Sequence, residues 1–292
     1  MLALNWAMAV KDRYMVTLGI HEREITLAGI HTVKIDLGSV DHLIRVFEIE
    51  QPQIVIHTAG LTSVEKCESN PELAKLVNAD LAVNVAQACA KLKLPLVHIS
   101  TDHLFSGEAS LVDETYPISP VNIYGRTKAE AESRILEIYP KALVIRTNFY
   151  GWGTSYRHSF SDKVIGALRA GRELALFQDV YYTPILAETV ARAVHDMIDL
   201  KASGIYHVVG DERISKLEFG HKLAQEFKLD ASLIKSGYIT DQASLVQRPL
   251  DMSLSNQKTR NLLGRKLGQI DEHIARLRQQ EQNGLAQELQ KL

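Results

Sequence analysis

Leu96-Val97-His98-Ile99-Ser100-Thr101-Asp102-His103-Leu104-Phe105-Ser106-Gly107, followed by Tyr124-Gly125-Arg126-Thr127-Lys128, is the stretch on which the fold is decided. The apolar run Leu96 to Ser100 predicts a buried strand, and Val121 to Ile138 predicts a helix. On that helix Tyr124 and Lys128 are four residues apart and share one face. A free tyrosine titrates near ~10 and is a poor acid–base catalyst at neutral pH. A neighbouring ammonium favours the phenolate and draws its pKa towards working pH. Thr101 stands at the C-terminal end of the strand, where open α/β sheets bind ligands. There a hydroxyl can hold a carbonyl beside the phenol. Tyr-x-x-x-Lys alone arises in many helices by chance; the preceding strand and its Ser-Thr-Asp exit give the pair its meaning.

Outward from this stretch, strand and helix alternate. Upstream lie a helix at 2–10, strands at Tyr14 to Ile20 and His31 to Ile35, a helix at Ser39 to Glu50, a strand at Gln53 to His57, and a long helix at Pro71 to Leu92 with proline in its first turn. Downstream come a strand at Ala142 to Arg146, helices at Lys163 to Ala170 and Glu188 to Leu200, and a strand at Gly204 to Val209. Ser215 and Glu218 form a capping box ahead of a helix at Lys216 to Lys228. Glu272 to Leu292 reads as a charged, solvated surface helix. Alternation at this spacing predicts an α/β fold with a doubly wound parallel sheet.

The 292 residues suffice for one large or two modest domains. A formal net charge of −2 gives no electrostatic ground for a nucleic-acid or membrane partner. Cys67 and Cys89 do not make a disulfide framework, and a reduced, cytoplasmic setting is expected. No apolar run reaches the roughly 18 residues of a membrane span. The apolar start is not preceded by positive residues, so it does not read as a secretory signal. Histidines and cysteines lack ligand spacing, so no metal site is expected. Gly-x-Ser-x-Gly is absent, which excludes a hydrolase elbow.

The string Ser100 to Gly107, with Tyr124 and Lys128, resembles the extended short-chain dehydrogenases/reductases, and within them the dTDP-4-dehydrorhamnose reductases, which usually carry Tyr where this chain has His103. The resemblance implies a Rossmann-like domain at 1–150, with 178–202 returning to it. It also implies a smaller C-terminal substrate region made of 151–177 and 203–292. It implies NADPH or NADH as hydride donor, a 4-keto-6-deoxy nucleotide sugar as substrate, and a homodimer as a compatible assembly. Thr101, Tyr124 and Lys128 take the catalytic roles: Thr101 orients the carbonyl, Tyr124 gives the proton, and Lys128 lowers the Tyr124 pKa and binds the nicotinamide ribose. Asp36 and Leu37 match the pair that contacts adenine. Ala59, Gly60 and Thr62 lie in a loop of small residues where backbone can approach a cofactor. Ser100 and Asn148 complete the cofactor set, and Asn78 braces the loops beneath. Asp102, His103, Trp152, Tyr156, Arg157 and Arg248 are the expected substrate contacts. Specificity for a 2′-phosphate would reside near His21-Glu22-Arg23.

The beginning departs from the family. A dinucleotide fold opens with strand, Gly-rich turn and helix, and that turn holds the pyrophosphate. This sequence opens on the helix, and its first glycine is Gly19. The expectation is that roughly ten to fifteen residues of first strand and turn are missing ahead of Met1. That leaves a slot in the sheet and weak dinucleotide binding unless another segment fills it. Two other readings stand beside the reductase: an epimerase of the same superfamily, and a non-catalytic binding protein on the same fold, as in the beta subunit of methionine adenosyltransferase. His103, where a dehydratase usually has Glu, counts against dehydration.

Overall fold

The computed structural model describes residues 1–242 and 244–292. In chain order its elements begin with α1 (Leu2–Val10), β1 (Thr17–Ile20), β2 (His31–Lys34), α2 (Val40–Glu50), β3 (Val55–His57), α3 (Val64–Ser69) and α4 (Pro71–Lys75). A π-helical turn (Leu76–Asp80) leads into α5 (Leu81–Leu92), then β4 (Leu96–Ile99), α6 (Ile123–Ile138), β5 (Leu143–Arg146) and β6 (Phe149–Tyr150). The later part comprises α7 (Phe160–Arg169), β7 (Leu174–Phe177), β8 (Tyr181–Tyr182), β9 (Ile185–Leu186), α8 (Ala187–Asp199), β10 (Gly204–His207), β11 (Ile214–Ser215), α9 (Lys216–Phe227) and β12 (Ile234–Gly237). Helices α10 (Gln257–Leu263), α11 (Ile270–Gln282) and α12 (Leu285–Gln290) close the chain.

The main sheet has four parallel strands in the order β10-β5-β4-β3. Strands β4 and β5 are buried at every residue, as expected of parallel strands covered on both faces. One face carries α1 and α8, through Leu2, Trp6, Val10, Val190 and Val194 against Val97, Ile99, Leu143 and Ile145. The other carries α2, α5 and α6, through Leu43, Phe47, Val85, Ala86, Ala131 and Ile135. The doubly wound arrangement expected of the sequence is therefore present. Strands β1 and β2 form a separate parallel pair, in register from Thr17 with His31 to Ile20 with Lys34. Among the described residues no strand bridges β1 and β3.

A second core gathers Trp152, Val164, Leu168, Leu176, Phe219, Leu223 and Leu277 around α7, α9 and α11. Two expectations are corrected here. Gly204 to His207, grouped by sequence with the substrate region, is the outer strand of the main sheet, paired to β5 from Leu143 to Arg146. The C-terminal segment is not one solvated helix. It breaks at Gly284, whose φ of +87° suits glycine, and it buries Ile274, Leu277 and Leu289 in the second core. A charged sequence had concealed an apolar stripe at helical spacing. Among the described residues no helix is long and apolar enough to cross a membrane.

Candidate active site

The site is assembled where β4 ends. Thr101 Oγ1 donates to Asp102 Oδ1 at 3.2 Å and accepts from the His103 amide at 3.2 Å. The other Asp102 oxygen receives a short hydrogen bond from Asn148 Nδ2, which arrives from the end of β5. Asp102 is 2% exposed, so its carboxyl group is held in the floor of the site. Helix α6 supplies the opposite wall. Its N-cap is Asn122, whose Oδ1 accepts from Gly125 N at 2.9 Å and whose Nδ2 donates to Gln247 O at 3.0 Å. Gly125 is required: a Cβ there would stand 2.3 Å from the His103 carbonyl oxygen. Its absence lets the helix lie against the Thr101–His103 loop, and the His103 ring meets Tyr124 edge-on with centroids 5.4 Å apart. Gly107 plays the same part where that loop passes Pro249 and Leu250. Its φ is +88°, and a Cβ would lie 2.7 Å from Leu250 N.

Burial governs the protonation of Tyr124. Desolvation pushes its phenol up to about 12; a hydrogen bond with the Thr101 side chain and the charge of Arg157 pull the other way, while Asp102 adds to the rise. The phenol is thus protonated throughout the neutral range. The tuning expected of Lys128 is not seen. Lys128 Nζ donates to Ile99 O at 2.7 Å and lies 3.0 Å from His98 Nε2, so its charge is spent on the strand behind the site. Its own pKa is lowered to about 8, by burial first, with Glu132 opposing. What the arrangement offers is a protonated phenol, a hydroxyl and a buried carboxylate converging on one point: a device for giving a proton to a carbonyl oxygen.

A family model described as the RmlD substrate binding domain matches residues 15–283. The chain belongs to this family. Among similar proteins is the probable low-salt glycan biosynthesis reductase Agl14 of Haloferax volcanii, 30% identical over 248 residues that cover 84% of this chain and 83% of that one. The dTDP-4-dehydrorhamnose reductase of Salmonella typhimurium is 32% identical over 165 residues, 54% of each chain, so the match spans about half of that relative's length. In structure, the hypothetical dTDP-4-dehydrorhamnose reductase from Sulfolobus tokodaii superposes with a TM-score of 0.79 at 29% identity, over 92% of this chain and 94% of that one. The dTDP-4-dehydrorhamnose reductase of Bacillus anthracis in complex with NADP gives 0.79 at 25% identity, over 86% and 90%.

Not every residue singled out in this RmlD-family sequence converges. Ser100, Thr101, Asp102, His103, Tyr124 and Asn148 do, and Ser100 Oγ is buried without a partner among the described residues. Ala59 and Gly60 lie on the adjoining loop, which Asn78 holds through Leu61 N at 2.7 Å, Leu61 O at 3.1 Å and Thr127 Oγ1 at 3.0 Å. Thr62 accepts from Arg157 at 2.7 Å, and Arg248 is paired with Glu65. Tyr156 is exposed, with the Arg23 guanidinium 3.8 Å from its ring centroid. Asp36 is exposed and accepts from Gly38 N, while Leu37 O is held by Asn84. Trp152 turns away from the cleft. It is 2% exposed in the second core, and its Nε1 donates to Leu277 O at 3.1 Å. Arg146 is structural, forming a buried bidentate pair with Glu132.

The residue that sequence reasoning missed is Lys216, read there only as the first residue of a helix. Its ammonium lies 3.3 Å from the ring centroid of Tyr182 and 4.8 Å from that of Phe160. Burial lowers its pKa to about 8; Asp102 raises it and Arg248 lowers it further. No local signal marks it, because everything it faces comes from distant parts of the chain.

Proposed function

We propose that this protein reduces the 4-keto group of a nucleotide-linked deoxysugar with NADPH or NADH. The observation that carries the reading is the convergence of Thr101 and Tyr124 at the end of β4, with the phenol held protonated beside a hydroxyl. The nicotinamide end of a dinucleotide fits what is present. Ser100 Oγ is a buried hydroxyl without a partner among the described residues, and a Cβ at Gly60 would press on Asn78 Oδ1 at 3.2 Å. Gly60 thus makes room for Asn78 beneath the loop, and the loop's small residues leave its backbone open to close approach. The cofactor, when bound, supplies the hydride.

Thr101 orients the keto oxygen, and Tyr124 gives it a proton as the alcohol forms. General acid catalysis of this kind contributes roughly 10²–10⁴-fold. Asp102 holds Asn148 and Thr101 in register. Lys128 would hold the nicotinamide ribose; in the present arrangement it does not tune the phenol. Lys216 and Arg248 bring positive charge to the substrate side, and we assign them to the diphosphate of the nucleotide sugar. The reading includes classification as a short-chain dehydrogenase/reductase, a cytoplasmic setting compatible with the buried free thiols of Cys67 and Cys89, and a homodimer.

A second reading, a non-catalytic binding protein, is favoured by the engagement of Lys128 with His98 and Ile99. The deciding experiment follows NADPH or NADH oxidation with dTDP-4-dehydrorhamnose. The expected result is oxidation matched to ketone consumption and reduced roughly 10²–10⁴-fold in Tyr124→Phe. No oxidation of either cofactor by the folded protein, or full turnover by the phenylalanine variant, would reject the mechanism.

A further inference from the structure

Behind the site, Lys128 is backed by two buried histidines that the proposed chemistry does not use. Lys128 Nζ is 3.0 Å from His98 Nε2, and His98 Nδ1 is 3.0 Å from His57 Nδ1. Lys128, His98 and His57 are 4%, 0% and 5% exposed. The ring centroids stand 5.2 Å apart with planes 21° from parallel. With facing nitrogens so close, the rings lie edge to edge in nearly one plane, which is the geometry of an N–H···N bond rather than of face stacking. The row thus crosses three elements, from α6 through β4 to β3.

We propose that His98, backed by His57, is a positioning residue for Lys128: it fixes the ammonium by accepting from it, and the tautomers of both rings are tied to the lysine's charge. The proton count requires this. An ammonium only donates, so beside charged Lys128 the Nε2 atom of His98 must be bare. His98 then carries its proton on Nδ1 and donates it to His57 Nδ1, which leaves the His57 proton on Nε2. That nitrogen is buried and has no partner among the described residues, so the row ends there. The tautomers are assigned from this network. If neutral Lys128 accepts instead, both rings reverse, each still with one proton.

Geometry and charge agree on the rings' state. Burial first, and then the charge of Lys128, hold both imidazoles well below their usual pKa, His57 at about 3. Both stay neutral acceptors across the working range. The charged groups facing Lys128 are few. On its own helix it faces Glu132, which is itself bound by Arg146 of β5; β4 presents His98 and the Ile99 carbonyl, and β3 presents His57. His98 is therefore the one side-chain acceptor in hydrogen-bond contact with the ammonium among the described residues.

The inference rests on the reductase reading only for its consequence in catalysis, and its test separates the two. The full chain, labelled with ε-¹³C lysine, is titrated by NMR, with Lys128→Met supplying the assignment. His98→Phe removes an acceptor from the charged form, so Lys128 should titrate about 1–2 pH units lower. His98→Gln, which restores an acceptor oxygen, should recover part of the shift. His57→Phe should move Lys128 less, in the same direction. If His98→Phe does not fold by thermal melting, the glutamine and His57 variants carry the test. An unchanged Lys128 titration in every folded variant overturns the proposal. Shifts in the expected order support it whether or not the protein turns over a ketosugar. Absence of ketoreduction in the parent protein would instead count against the reductase reading alone.

Discussion

At Lys216 the site holds a cation that the reaction proposed at Tyr124 does not need. Its ammonium rests on two aromatic faces, Tyr182 and Phe160, a placement that stabilises positive charge by roughly 0.5–2 kcal/mol. Such a group suits the phosphates of a nucleotide sugar. Lys216→Met should therefore raise KM for the ketosugar about 10-fold or more, the loss of one charged hydrogen bond, while kcat changes little. A fall in kcat with unchanged KM would instead place Lys216 in the chemistry. Lys216 shows where sequence reading ends. Tyr124 and Lys128 were legible because four residues of one helix fix their relation, and Thr101 was legible because a strand end fixes its place. The partners of Lys216 lie tens to more than a hundred residues away, and no periodicity announces them. Likewise the spacing of Tyr124 and Lys128 could not reveal that His98 and Ile99 hold the lysine, nor the Gly- and aromatic-rich run around Trp152 that this indole faces α11.

Among the elements, the start of α6 is the hinge of the arrangement. Asn122 caps it, Gly125 lets it approach the His103 carbonyl, and Thr127 is braced by Asn78 from the π-helical turn. Single-turn π segments frequently occur at functional sites, and here the turn aims one amide at both the Leu61 loop and α6. Gly125→Ala should cost about 1–3 kcal/mol of stability through overpacking. Activity should fall further, to the order of 10²-fold for a displacement near ~1 Å. Parallel thermal melts and steady-state rates check both. A loss of stability with intact turnover would show that the helix can shift without harm to Tyr124. Element types and order, and the capping box at Ser215, were readable from propensity and pattern. The C-terminal break at Gly284 was not, since charge along the segment masked which face is buried.

For the molecule as a whole, buried neutral histidines set the response to acid. His57 and His207 both have pKa values lowered to about 3, by burial first, and by Lys128 and Arg146 respectively. In the unfolded chain they titrate near 6.5. Between pH 6.5 and 3 the unfolded state binds more protons, so stability falls as pH falls through that window. Each ring contributes a slope of up to about 1.4 kcal/mol per pH unit. Denaturant midpoints measured from pH 7 to 4 should decline, and replacing His57 with Phe should flatten the decline by about one proton. An unchanged slope in a folded variant would remove His57 from the acid response. The break between the β1–β2 pair and the main sheet has a kinetic consequence. No ladder carries cooperativity across it among the described residues, so the two pieces are joined by side-chain packing: Leu18 of β1 lies in a core with Leu4 and Ala7 of α1, and α2 joins the core beneath α5 through Leu43 and Phe47. The pair should open as a unit of its own, below the free energy of global unfolding. In deuterium exchange, the amides of Thr17 to Ile20 should become labelled well before those of Leu143 to Arg146, and denaturant too dilute to unfold the main sheet should hasten them. Equal protection in both segments would mean that the helices alone bind the molecule into one cooperative block.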